Sequence, residues 1–231
     1  MPGSLALVLA IALSVTHYFN AALRQRFKRY ESDAASFAGG ISIAYLFLQI
    51  MPELYAGYTV VSSYLFVFVL VGFTLMHLIE KQIQSHTHRL EKRREELKEL
   101  HSAYFFFYHF LVGVVLLRLV ELNAVTGALF FVPVFLYTLA SGVSLSEVHE
   151  RVRGHAAARL LLSSSSLFGV FAAAVYKVPD VLFYALFSFV GGMFFYVVIR
   201  EAVPSERKGH PNFFLAGVAI YTALLWLLNA L

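Results

Sequence analysis

Residues Phe37–Leu54 read FAGGISIAYLFLQIMPEL, a stretch whose single charge, Glu53, comes next to last. The apolar positions run on without the strict alternation of a half-buried strand. About 20 apolar residues in a helix cross the hydrocarbon core of a bilayer, so this stretch predicts a membrane-spanning helix over Ala34–Leu54. Gly39, Gly40 and Ser42 lie inside it, and small residues within a membrane mark close helix–helix contact.

Working outward, seven more apolar runs are separated by polar breaks. The full set is Ser4–Ala22, Ala34–Leu54, Val60–Glu80, Ala103–Val120, Gly127–Leu145, Leu160–Tyr176, Val181–Val203 and Phe213–Leu231. The expected fold class is all-α: one polytopic, eight-helix membrane bundle over residues 1–231, with a cytosolic loop at about 81–102. Met1 to Ser14 has no basic n-region, so it reads as part of a retained first span. The second, fifth and sixth spans are the least hydrophobic, and we expect them at the centre with the Phe-rich spans facing lipid.

Composition agrees with a membrane protein. The 231 residues are 59% hydrophobic and 14% charged, with a mean hydropathy of +0.72. A soluble domain carries about 25% charged residues, so that class and a disordered chain are both excluded. Long continuous apolar runs exclude a membrane β-barrel as well. There is no cysteine, which removes disulfides, thiolate ligands and a cysteine nucleophile.

The basic residues orient the bundle. The connections after spans one, three, five and seven hold four, six, three and three of them, sixteen of eighteen; only Arg118 and Lys177 fall on the other side. By the positive-inside rule those four connections are cytoplasmic and both termini face outward, with the plasma membrane as the default location. The longest connection, Lys81–His101, has mixed charges and no Pro or Gly, so it should be helical at least in part and extend spans three and four.

Motifs of soluble catalysis are absent: no phosphate-binding G-x-x-x-x-G-K-[ST], no G-x-S-x-G and no H-E-x-x-H occurs. The ionisable residues at depth are His17, His77, His109 and Glu201, too scattered for a catalytic set, and Arg118 with Glu121 reads as an interfacial pair. We therefore expect no enzyme and no nucleic-acid partner. His77 and Glu80 share a helix face and could supply two zinc ligands, although polar residues are ordinary at a span end. His86, His88 and His101 are candidate weak metal ligands in the cytosolic loop.

Phe37–Leu54, the third-span run YLFVFVLVGFTLMHLIEK and the last two spans, SFVGGMFFYVVIREAVPSE and FFLAGVAIYTALLWLL, follow one another in a telling order. With eight spans, outward termini and the longest loop after span three, the chain resembles the ZIP (Zrt/Irt-like) family of divalent metal transporters. The resemblance implies a helical bundle, inward movement of Zn²⁺, Fe²⁺ or related ions as substrate, a central binuclear site lined by spans four and five, and a homodimer. The family's fourth-span pattern, like H-[SN]-x-x-E-G, falls on Tyr108-His109-Phe110-Leu111-Val112-Gly113, and its fifth-span pattern, like H-K-x-P-E-G, on Tyr137-Thr138-Leu139-Ala140-Ser141-Gly142. The glycines match, but Tyr108, Val112, Tyr137 and Ser141 stand where ligands would be, and Gln49 stands where many members have His. A one-residue shift puts His109 at the family His and Gly113 at the Glu, which restores no carboxylate.

Replacing carboxylates removes the charge that offsets a buried dication. Two readings follow: transport of a divalent metal or another small solute through a non-standard site around Gln49, His109, Ser141 and Glu201, or a transport-inactive membrane partner. Tyr108 and Tyr137 are expected to face each other across the former metal position as a neutral plug.

Overall fold

The computed structural model describes residues 2–85, 91–140, 156–202 and 209–228, and it contains no strand among them. Helix α1 is Pro2–Phe27, and a 3-10 turn at Lys28–Tyr30 leads into α2, Glu31–Tyr45. A π turn at Leu46–Ile50 joins α2 to α3, Met51–Val61. Then come α4, Tyr64–Ser85; α5, Glu91–Leu122; α6, Ala124–Ala140; α7, Ala156–Ser163; and α8, Ser165–Tyr176. The chain continues through α9, Asp180–Val197, a second π turn at Val198–Ala202, and α10, Pro211–Leu227.

Four helical segments are long and apolar enough to cross a membrane: Gly3–Asn20, Glu31–Val61, Ser102–Leu122 and Asp180–Arg200. The pair α7 and α8 makes a fifth, bent by 50°. Tyr64–Ile79, Ala124–Ala140 and Pro211–Leu227 are shorter apolar helices, so each expected run overlaps an apolar helix, while positions 141–145, 203 and 229–231 of the expected spans lie outside the described residues. The boundaries differ from the sequence reading: α1 runs five residues past Ala22, and the second helix continues to Val61, with the turn to α4 at Ser62 and Ser63. Within the Lys81–His101 connection, α4 extends to Ser85 and α5 begins at Glu91.

Three helix pairs share one packing device. Gly40 of α2 lies on the Phe214 carbonyl while Gly217 of α10 lies on the Phe37 carbonyl. Gly72 of α4 and Gly192 of α9 meet the Phe189 and Val69 carbonyls in the same reciprocal way. So do Gly113 of α5 and Gly169 of α8, against Ser166 and Phe110. In each case the glycine sits three residues after the carbonyl its partner approaches. A hydrogen in place of a methyl lets the backbones touch and form Cα–H···O contacts.

All three pairs run parallel. Along α2 and α10, Ser36 meets His210, Gly40 meets Phe214 and Tyr45 meets Tyr221. Along α4 and α9, Gly72 meets Phe189, then Phe73 and His77 meet Tyr196. Along α5 and α8, the Phe110 carbonyl meets Gly169, while Phe105 and Phe106 pack on Leu162 one bend below. Helices α5 and α8 can be parallel only if the chain returns between them, which α6 does.

The fold also contains an internal repeat. Phe37-Ala38-Gly39-Gly40 and Phe189-Val190-Gly191-Gly192 lie 152 positions apart, as do the prolines 52 and 204 and the two π turns. The two copies run antiparallel, since Tyr45 packs on Phe194 and Ile50 on Gly191. The pair α2–α10 is then the counterpart of α9–α4. Proline explains the first π turn: Pro52 cannot donate to the Leu48 carbonyl, the helix widens, and Met51 N–H bonds Leu46 instead.

One burial expectation is corrected. Helix α4 does expose Phe66 and Phe68, but α9 buries Phe183, Phe187 and Phe194. It lies against α3, α4 and α5, so its phenylalanines fill the interior rather than face lipid.

Candidate functional site

The position expected from spans four and five is apolar. Tyr108 is 7% exposed and Val112 fully buried on one face of α5. Around the bundle axis Tyr45 of α2 touches Phe130 of α6, Phe194 of α9 and Tyr221 of α10 at centroid distances of 6.0–6.1 Å. Pro133 shapes this centre. Its missing N–H frees the Leu129 carbonyl one turn back, and Tyr221 Oη donates to that carbonyl at 2.9 Å. Tyr137 lies half-buried on α6.

Gln49 sits half-buried in the first π turn, and Glu201 belongs to the second, 152 positions on. Position 53, which carries a carboxylate in the first copy, is hydrogen-bonded by Tyr184 of α9. His77 Nδ1 lies 3.4 Å from Tyr196 Oη. Ser141, His86 and His88 lie outside the described residues, and His101 belongs to α5.

The structure brings together two histidines that the sequence leaves in separate spans. His17 of α1 and His109 of α5 are 5% and 8% exposed, with ring centroids 4.2 Å apart and edge to face. His109 Nδ1 lies 2.9 Å from the Phe105 carbonyl. A carbonyl only accepts, so Nδ1 carries the hydrogen and Nε2 the lone pair. His17 Nε2 is buried and makes no hydrogen bond. The Phe105 ring lies 5.1 Å from His17 and 4.1 Å from His109, and Tyr108 lies 4.9 Å from His109.

Polar groups continue along the same face of α1. One turn above His17, Ser14 Oγ lies 3.4 Å from Ser166 Oγ at the start of α8. One turn below, Asn20 Nδ2 donates to the Thr138 carbonyl at 2.6 Å, while its buried Oδ1 has no partner. The bend between α7 and α8 falls beside these residues. Its serine run competes with the backbone: Ser163 Oγ donates to the Leu160 carbonyl at 3.0 Å, and Ser165 Oγ is buried without a bond. Beyond Asn20, a cavity of 240 Å³ is lined by Leu23, Glu31, Phe37, Leu136 and Ala140.

At the far end, Arg118 donates to Glu121 at 2.8 Å, the i,i+3 pairing expected from the sequence, and also to Asp180 of α9 at 2.7 Å. Among the described residues no three His, Asp or Glu side chains converge as a metal-binding group. The contact between His17 and His109 has no signal in their spacing. The repeat did have one, the paired F-x-G-G at 37 and 189. Against known proteins, the chain matches no family model and no curated sequence.

Proposed function

We propose that the protein is an eight-span, ZIP-like membrane transporter with both termini outward, carrying a metal ion or a related small solute by alternating access. The observation that carries this reading is the antiparallel repeat with a π turn at the same place in each copy. Inverted repeats supply transporters with two interchangeable halves, and discontinuous helices place binding groups at mid-membrane. The 50° bend at Ser164, beside His17 and His109, supplies such a discontinuity. The parallel pairing of α5 with α8 supports counting the short α6 as a crossing. The charge asymmetry supports a cytoplasmic location for the four basic connections.

The test is uptake into proteoliposomes with a panel of Zn²⁺, Fe²⁺, Mn²⁺, Cd²⁺ and Ag⁺. Saturable uptake of at least one ion is expected; no flux of any, with the protein folded, removes the transport reading. The aromatic centre around Tyr45 favours the second reading, a transport-inactive membrane partner, and that outcome would select it.

A further inference from the structure

We propose that Arg159 and Tyr18 hold the headgroup of one anionic phospholipid between α1 and α7, at the end of the bundle that carries the basic connections. The site goes beyond the transport reading. Only its leaflet, the cytoplasmic one, rests on the proposed orientation.

Among the residues whose side chains are described, two cations are half-buried, Arg118 and Arg159. They differ in what surrounds them. Arg118 lies over the Phe183 ring and pairs with two carboxylates, Glu121 and Asp180. Arg159 has the aromatic half of that arrangement without the acidic half. Its guanidinium lies over the Tyr18 ring, 4.0 Å from the centroid. Among the described residues no carboxylate pairs with it; apart from the Arg118 pairs, the ion pair is His210 with Asp33. Its Nε is buried without a hydrogen bond. The backbone adds to the imbalance. Arg159 is the fourth residue of α7, and that first turn holds no acidic residue. A helix start carries positive potential and favours anions, so a cation there is repelled. An arginine cannot shed its proton to escape. A half-buried charge with no counter-charge in the chain is relieved by an anion from outside it.

The geometry suits a phosphate. With Nε sealed and one face on Tyr18, the two Nη groups remain for a ligand. That end of a guanidinium offers parallel donors to two oxygens of one phosphate. The stack on Tyr18 restrains the guanidinium plane, so less freedom is lost on binding. The surroundings favour a lipid over a soluble anion. Tyr18 lies two residues before the end of the apolar segment Gly3–Asn20, and Arg159 lies in the first turn of the bent pair α7 and α8. Both are therefore at the same end of their spans, where headgroups lie. Helix α1 exposes Val15 and Phe19, and α7 exposes Leu160 and Leu161. Acyl chains cover such side chains, and a soluble anion gains nothing from them. Basic pockets between spans on the cytoplasmic side are places where anionic headgroups bind.

The experiment is native mass spectrometry of the full-length protein in detergent, titrated with dioleoylphosphatidylglycerol or dioleoylphosphatidylcholine. One phosphatidylglycerol per chain is expected to be retained in preference to phosphatidylcholine. Arg159→Gln should weaken phosphatidylglycerol by about tenfold or more, the loss of a charged hydrogen bond. Arg159→Lys keeps the charge but not the paired donors, so it should fall between the two. Arg26→Gln with Arg29→Gln, at exposed positions, should leave binding nearly unchanged. Unchanged phosphatidylglycerol affinity in Arg159→Gln, or phosphatidylcholine held as tightly, overturns the site. Displacement of the lipid by an equal concentration of glycerol phosphate overturns the lipid as occupant. If Arg159→Gln fails to fold, a phosphatidylglycerol with a photoreactive headgroup decides on the unchanged protein. Crosslinks to α1 and α7 around Tyr18 and Arg159 support the site, and crosslinks confined to other helices overturn it. None of these readouts needs transport, so a protein that carries no ion leaves the site standing. The leaflet is read separately, because the chain has no cysteine of its own. Gln25→Cys, at an exposed position of α1, should be labelled from the cytoplasmic side. Labelling only from outside would move the site to the other leaflet and remove the proposed orientation.

Discussion

Gly191 and Gly192 are neighbours on α9, yet a methyl group should have opposite effects on them. A Cβ on Gly192 would overlap the Val69 carbonyl oxygen and also approach the Phe73 nitrogen, all of it α4 backbone. No side-chain rotation relieves that, so α4 and α9 must separate along a contact that Gly72 makes from the other side. At Gly191 the nearest atom is Ile50 Cγ2, at 3.4 Å, which is ordinary contact with the end of a movable side chain. Both substitutions gain the same helix propensity, about 1 kcal/mol for Gly→Ala. The difference between them therefore isolates the overlap, which for an over-packed interior is about 1–3 kcal/mol. We expect Gly191→Ala to be neutral or mildly stabilising and Gly192→Ala to be the less stable of the two by about 2 kcal/mol, close to a thirtyfold change in the unfolding equilibrium. Reversible unfolding in mixed micelles, with helix content as the signal, measures both. Equal stabilities would mean that α4 and α9 are not in backbone contact, and the shared packing device of the three pairs would fall with them.

Three further outcomes follow from the geometry. Tyr221→Phe leaves the Leu129 carbonyl unpaired and should cost about 1 kcal/mol; in a Pro133→Ala background the restored N–H takes that carbonyl, and a double-mutant cycle should show the cost nearly vanish. Tyr108→His, Val112→Glu, Tyr137→His and Ser141→Glu combined should create Zn²⁺ and Cd²⁺ binding, read by equilibrium dialysis; a folded variant that binds neither would refute the alignment of spans four and five. Arg118→Gln breaks contacts with Glu121 and Asp180, but both carboxylates are substantially exposed. Its thermal unfolding should therefore shift only slightly, by no more than about 1 kcal/mol.

How much of this was legible beforehand differs by element. Among the described residues each expected apolar run overlaps an apolar helix, because the hydrocarbon length sets a scale that a single chain must meet by itself, but the ends differ, by twelve residues at the start of α5. The second span ended later than expected, at Val61, where Ser62 takes a positive φ. The Arg118–Glu121 pair was readable because i,i+3 neighbours meet on any helix, whereas Asp180, its third member, comes from another helix. The burial of Phe183, Phe187 and Phe194 ran against expectation, since a phenylalanine suits lipid and interior equally and composition does not separate the two.

By itself the sequence determined a chain of apolar helical segments and the asymmetric placement of its basic residues. Those are properties of single helices and single positions. Only the tertiary structure decided that Gly40, Gly72 and Gly113 each meet a carbonyl, that Tyr221 satisfies the acceptor freed by Pro133, and that His17 meets His109 beside a bent span. Helical periodicity places a side chain on a face, but which face another helix covers depends on packing between segments far apart in the chain. The imidazoles of His17 and His109 become neighbours at that step.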